Sequence, residues 1–156
     1  QSGGGLSPAD MKRVRIIVWK GFCIVHTAFT VELVTRVREK FRDAKIIVHP
    51  ETPKEVVRLA DAHGSTAQIV KYVEAAPAGS TVVIGTENNL VERLAELNRG
   101  RLTVKALSPS LCANMARTNE TNLLKLLESW PAENEIHVPP AIAVDARKAL
   151  DRMLAL

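Results

Sequence analysis

Two short runs, Lys45-Ile46-Ile47-Val48 and Thr81-Val82-Val83-Ile84, constrain the fold of this chain more than any other feature. After its first residue each run is continuously apolar and made of β-branched side chains. A strand with no polar face must be covered on both sides, as in a parallel sheet sandwiched between helices. The rest of the sequence alternates accordingly. Strand-like runs are expected at Val14–Trp19, Ala44–His49, Thr81–Gly85, Leu102–Leu107 and, more weakly, Glu135–Val138. Helix-like stretches are expected between them at Val31–Arg42, Pro53–Ala62, Thr66–Ala76, Asn89–Asn98, Glu120–Ser129 and Ala141–Leu156. This alternation predicts an α/β fold with a mostly parallel sheet in a three-layer αβα sandwich.

A chain of 156 residues fits one domain, and its 46% apolar content suffices for a core. Only 4% of the residues are aromatic, so that core must be aliphatic. Residues 1–10, opening Gln1-Ser2-Gly3-Gly4-Gly5, read as a flexible linker or cloning scar; residues 11–156 read as the αβα domain with its C-terminal helix. The 21 basic and 17 acidic residues are interspersed, and no basic run interleaves with aromatics. Nucleic acid is therefore not an expected partner. No apolar run reaches the length of about 18 residues that suggests a membrane span, and no signal-peptide pattern opens the sequence. With only Cys23 and Cys112, far apart, a disulfide scaffold is not expected, and a reducing cytoplasm is.

The cysteines direct attention to one edge of the expected sheet. Cys23 follows the run Val14–Trp19 and Cys112 follows Leu102–Leu107. Loops leaving the carboxyl ends of parallel strands gather where ligands bind. Two thiols brought there suggest a shared metal or cluster; the alternative is two unrelated buried thiols. His49-Pro50-Glu51 ends the second run and belongs to the same edge. Its imidazole and carboxylate, two apart on extended backbone, can bind a polar substrate and move protons. The alternative for that segment is a plain surface turn.

Helix starts add a further element. Thr52-Pro53-Lys54-Glu55 has the form of a capping box, and Ser65-Thr66-Ala67-Gln68 repeats it directly after Gly64. The Gly-Ser-Thr start offers N–H groups, two hydroxyls and a helix dipole to a carboxylate or phosphate, or serves as an ordinary cap. Glu87 reads better as a dipole-favoured acid at the next helix than as a site residue. His26, three residues after Cys23, could pair with it on a metal, but no second local pair completes such a site, so zinc is not expected. His63 reads as a helix C-terminal residue and His137 as a structural strand residue. Dinucleotide, P-loop and nucleophile-elbow motifs do not occur.

Taken in order, Gly21-Phe22-Cys23-Ile24-Val25-His26, Val48-His49-Pro50-Glu51, Gly64-Ser65-Thr66 with Gln68-Ile69-Val70-Lys71-Tyr72-Val73, Ile84-Gly85-Thr86-Glu87 and Cys112-Ala113-Asn114-Met115 resemble quinolinate synthase. The match runs over residues 13–156 and corresponds to about the C-terminal half of that family's chain: the end of the second domain, the third of three similar αβα domains, and the closing helix. The resemblance implies an enzyme of de novo NAD biosynthesis that condenses iminosuccinate with dihydroxyacetone phosphate. It implies a [4Fe–4S] cluster held by three cysteines, with the fourth iron position open as a Lewis acid. By the same resemblance Cys23 and Cys112 match two cluster ligands, while His49, Pro50, Glu51, Ser65 and Thr66 match substrate-contacting positions, His49 and Glu51 also serving catalysis. The third cysteine is absent, so a missing N-terminal half becomes an expected partner. Lys20 stands where the family often has Pro, and Ala116-Arg117 where a Lys commonly follows the Met. A non-catalytic excerpt or partner-binding αβα module is the competing expectation.

Overall fold

The structure, a computed structural model, describes residues 7–14 and 21–155. The chain divides into two compact units, Gln1–Cys112 and Ala113–Leu156. In the first unit, β1 (Lys45–Val48), β2 (Ala62–His63), β3 (Thr81–Gly85) and β4 (Thr103–Ala106) form one sheet in the order β2-β1-β3-β4. Every pairing is parallel, with Ile47 opposite both Ala62 and Ile84, and Val82 opposite Val104. The expected parallel α/β sandwich is therefore present. Of the expected strand Val14–Trp19, all but Val14 lies outside the described residues.

The continuous apolar runs serve two cores at once, because successive side chains of a strand point to opposite faces. Ile46, Val48 and Val83 join Val25, Phe29, Val34 and Val56 on one face. Ile47, Val82 and Ile84 join Ile69, Val73, Val91 and Leu94 on the other. The first face is thus covered by α2 (Ile24–Thr27), α3 (Val31–Lys40) and α4 (Lys54–Leu59), the second by α5 (Thr66–Ala75) and α6 (Asn88–Leu97). Each fully buried Ile or Val contributes about 1.5–3 kcal/mol relative to exposure. Gly85 is required where β1 and β3 close together, since a Cβ there would lie 2.8 Å from Val48 Cγ1.

Several local expectations differ from the structure. Ser7 caps a short helix, α1 (Pro8–Arg13), which overlaps the last residues of the expected linker. Thr52 is not a helix cap: Pro53 holds the N-cap position of α4. That helix ends at Leu59 instead of Ala62, and the chain re-enters the sheet as β2, so His63 lies on a strand. In the second unit, α7 (Glu120–Ser129) is capped by Asn119 and α8 (Pro140–Leu154) closes the chain. Glu135–Val138 is not a strand; it follows a 3-10 turn at Ala132–Asn134 as irregular, exposed backbone. Alternating residues alone cannot make a strand without an edge to pair with. No helix among the described residues is long and apolar enough to cross a membrane.

The edge strand β2 is tied down by Asp61. Its carboxylate accepts from Ile46 N–H and from the Arg38 guanidinium, both at 2.7 Å, while Arg38 also donates to Ala44 O and Leu59 O. Burial pushes the Asp61 carboxyl up, but the Ile46 and Arg38 hydrogen bonds and the charges of Arg38 and Lys45 outweigh it and hold it below the ordinary carboxylate value. A folded-state value below the unfolded one means that the unfolded chain binds the proton more readily. The stabilisation is therefore complete above the ordinary carboxylate value and is lost as pH falls through the folded-state value. Asp61→Asn is expected to cost about 1–3 kcal/mol at neutral pH and to flatten the acid limb of stability. Urea unfolding of both proteins across the acid range checks this.

Candidate active site at the carboxyl edge of the sheet

Loops from three strand ends and one short helix meet at this edge. Beyond β1, His49 donates its N–H to Gly85 O at 3.1 Å, and Thr52 N–H closes the turn onto His49 O at 3.0 Å. Pro50 stiffens that turn, so His49 and Glu51 are fixed close together, with Glu51 Oε2 3.8 Å from His49 Nδ1. The Glu51 N–H donates to His49 Nδ1 at 3.3 Å. Thr52, next in line, is buried, and its hydroxyl has no hydrogen-bond partner among the described residues.

His26, from α2, completes the group. Its Nδ1 lies 3.1 Å from Glu51 Oε2 and its Nε2 lies 3.1 Å from Thr86 Oγ1, just past β3. An ionised carboxylate only accepts, so in the neutral ring Nδ1–H donates to Glu51 and Nε2 accepts from the Thr86 hydroxyl. The imidazoles of His26 and His49 stack, with centroids 4.1 Å apart and planes within 7°. The His26 side chain is 9% exposed and that of Glu51 58%, so the acid faces solvent while the imidazole beneath it is shielded.

Burial lowers the His49 pKa first, the neighbouring His26 lowers it further, and Glu51 opposes both without prevailing. His49 is accordingly neutral near pH 7 and free to accept a proton. Its folded-state value lies below the unfolded one, so its contribution is complete above the ordinary imidazole value and is lost as pH falls through the folded-state value. His49→Gln is expected to reduce the loss of stability between about pH 7 and pH 5. Denaturant midpoints at the two pH values measure it.

The other expected residues fall as follows. Gly64 N–H donates to Val48 O at 3.1 Å, which continues the β2–β1 pairing and brings Ser65 and Thr66 to the same edge, both exposed. The Ser65 N–H donates to Gln68 Oε1 at 2.7 Å. Gly64 allows this tight start, since a Cβ would lie 2.6 Å from that of Gln68. Cys23 and Cys112 are free and half-buried, and both border the buried cluster of Val25, Phe29, Val48 and Leu107. Their segments are linked: Ser110 Oγ donates to Val25 O at 3.4 Å. Glu87 caps α6, accepting from Asn89 N–H at 2.8 Å, and stays out of the group, as expected. His137 is exposed on its irregular segment, 3.5 Å from Glu135.

His26 and Thr86 are the residues that sequence reasoning undervalued. Cys23, His26 and Glu51 offer ligand atoms within 4.8 Å of one another, Cys23 and His26 from the start of α2 and Glu51 from the turn after β1. A Cys-x-x-His spacing was the available clue.

Fold and site together define a parallel αβα domain with a polar ligand site outside the carboxyl ends of its strands. A family model described as Quinolinate synthetase A protein matches residues 4–155. The chain is 43% identical to a quinolinate synthase of Corynebacterium glutamicum over 98% of its own length and 40% of that protein's. It is 45% identical to one from Geobacillus sp. over 94% of its length and 41% of the relative's, and 40% identical to one from Acidobacterium capsulatum over its full length and 43% of the relative's. The chain belongs to the quinolinate synthase family. It spans about two fifths of the length of these curated relatives and corresponds to their C-terminal region.

Proposed function

We propose that this chain is the C-terminal part of a quinolinate synthase, supplying one wall of a site that condenses iminosuccinate with dihydroxyacetone phosphate. The observation that carries this reading is the grouping of His26, His49, Glu51 and Thr86 beside two thiol-bearing loops at one strand edge. A [4Fe–4S] cluster is held by cysteine thiolates, and the sequence has two. Cys23 and Cys112, which border one buried cluster, would supply two of its ligands, and a third thiolate would come from outside this stretch. When bound, such a cluster offers an iron without a protein ligand as a Lewis acid for loss of water.

The chain's own residues would act as follows. Neutral His49, raised over the edge by the Pro50 turn, takes or returns a proton at carbon or oxygen of the substrate. Glu51 accepts the His26 Nδ1–H and holds that ring in one tautomer. Thr86 fixes the far nitrogen, so the stacked imidazoles keep their orientation as substrate enters. Ser65 and Thr66, with the N–H groups of the α5 start, bind a carboxylate or phosphate. Pro50 lines the same turn. The competing reading is a non-catalytic or partner-binding αβα module. Joining the sequence to the N-terminal part of the Corynebacterium glutamicum relative and assaying quinolinate formation anaerobically separates the two. Turnover supports the first reading; a folded, iron-loaded and inactive protein supports the second.

A further inference from the structure

We propose that the amino edge of the sheet carries a second ligand site, which takes a nucleoside monophosphate. This edge lies opposite the site described above: the five residues of β3 set the two roughly 16 Å apart at about 3.3 Å per residue. Two cavities open there, of about 460 Å³ and about 360 Å³. Each falls within the range of about 300–1,000 Å³ usual for small-molecule sites. They adjoin, because Asp43 and Ser80 line both. The loops that enter β1 and β3 form them, and those strands are neighbours, with Lys45 opposite Val82.

The two cavities differ in chemistry. Lys40 and Arg42 line the first, together with the half-buried Phe41. The ammonium groups of Lys40 and Lys105 each lie 5.4 Å from the Phe41 ring centroid, so one ring gathers two like charges. An anion beside them relieves their repulsion, and a phosphate accepts strong hydrogen bonds from guanidinium and ammonium groups. The nearby ion pairs join Arg38 and Lys45 to Asp61; among the described residues Lys40, Arg42 and Lys105 enter none. The second cavity is mostly apolar, walled by Ala76, Pro77 and a half-buried Tyr72 that packs against the Ile69 and Val73 core. A nucleobase stacks on such a ring. Between the two halves stand the Asp43 carboxylate and Ser80 Oγ. Asp43 disfavours a phosphate in direct contact but accepts from sugar hydroxyls. Ser80 Oγ donates to Pro77 O at 2.6 Å and keeps its lone pairs for the same purpose. Cationic, hydroxyl-accepting and apolar surfaces thus follow one another in the order of phosphate, sugar and base.

The test measures AMP binding to a full-length enzyme carrying this sequence, by titration calorimetry, with adenosine and inorganic phosphate as partial probes. Binding of about one AMP per chain is expected, roughly tenfold or more tighter than either part and weaker as salt rises. Arg42→Gln, and Lys40→Gln combined with Lys105→Gln, all at exposed residues, should each weaken it about tenfold. Tyr72→Ala should weaken it about tenfold and Tyr72→Phe should keep it, which separates a lost stacking ring from a lost fold. Thr66→Val, at the opposite edge, should leave AMP affinity unchanged. None of these readouts depends on quinolinate formation, so the site stands or falls apart from the function proposed above. A folded enzyme that binds no AMP, or binds adenosine or phosphate alone equally well, overturns the proposal. Affinity indifferent to Arg42→Gln and Tyr72→Ala, or lowered by Thr66→Val, overturns it as well.

Discussion

Cys23→Ala and Cys112→Ala, each placed in a full-length enzyme carrying this sequence, are expected to strip the cluster absorbance and bring turnover below detection. On the proposed reading each alanine would remove one iron ligand, leaving a cubane with two thiolates and too few anchors to persist. Both thiols are only half-buried at the border of an aliphatic cluster, so the loss of packing should be small. Thermal midpoints of the apo proteins should therefore stay close to the parent value while iron and sulfide contents collapse. Retained iron with normal turnover in either variant would return that cysteine to a packing role.

The second large effect concerns the His49-Pro50-Glu51 turn. His49→Ala and Glu51→Gln are each expected to lower kcat by about 10²–10⁴, the usual worth of a positioned acid or base, with iron content intact. His49 is held neutral by burial and by its stacked neighbour, which suits a proton acceptor near neutrality. Glu51→Gln keeps the size of the side chain but loses the charge that fixes the His26 tautomer at 3.1 Å. Thr66→Val should act mainly on KM, by about 1–3 kcal/mol for a hydrogen bond to a charged group. Near-parental kcat in both turn variants would reduce the segment to a strand-to-helix connection.

Much of the sheet was legible because Lys45–Val48 and Thr81–Gly85 carry their burial on both faces in the sequence itself. The two-residue strand β2 was not, since Ala62 and His63 are too few to show a period and are recruited by Asp61 and Gly64 hydrogen bonds to β1. Thr52 has the composition of a cap, yet the turn closed by its N–H onto His49 buries its hydroxyl instead. The edge position of His49 and Glu51 followed from the end of β1, which sequence does mark; Ser65-Thr66 was marked only as a helix start, because the strand before it was not legible. The part played by His26 did not follow. Its partners Glu51 and Thr86 lie 25 and 60 residues away, and only folding brings them to one ring. No second local Cys/His pair completes the group; the short helix α2 and two strand-end loops assemble it.

An anaerobic crystal structure of the assembled protein, this sequence joined to the N-terminal part of a relative and loaded with iron and sulfide, tests the central claim most directly. The account predicts a cubane with Cys23 Sγ and Cys112 Sγ each bonded to an iron, a third thiolate from the added part, and His49 and Glu51 facing the remaining iron. A cluster seated elsewhere, or thiols of Cys23 and Cys112 bonded to no iron in a fully loaded and active protein, would contradict it.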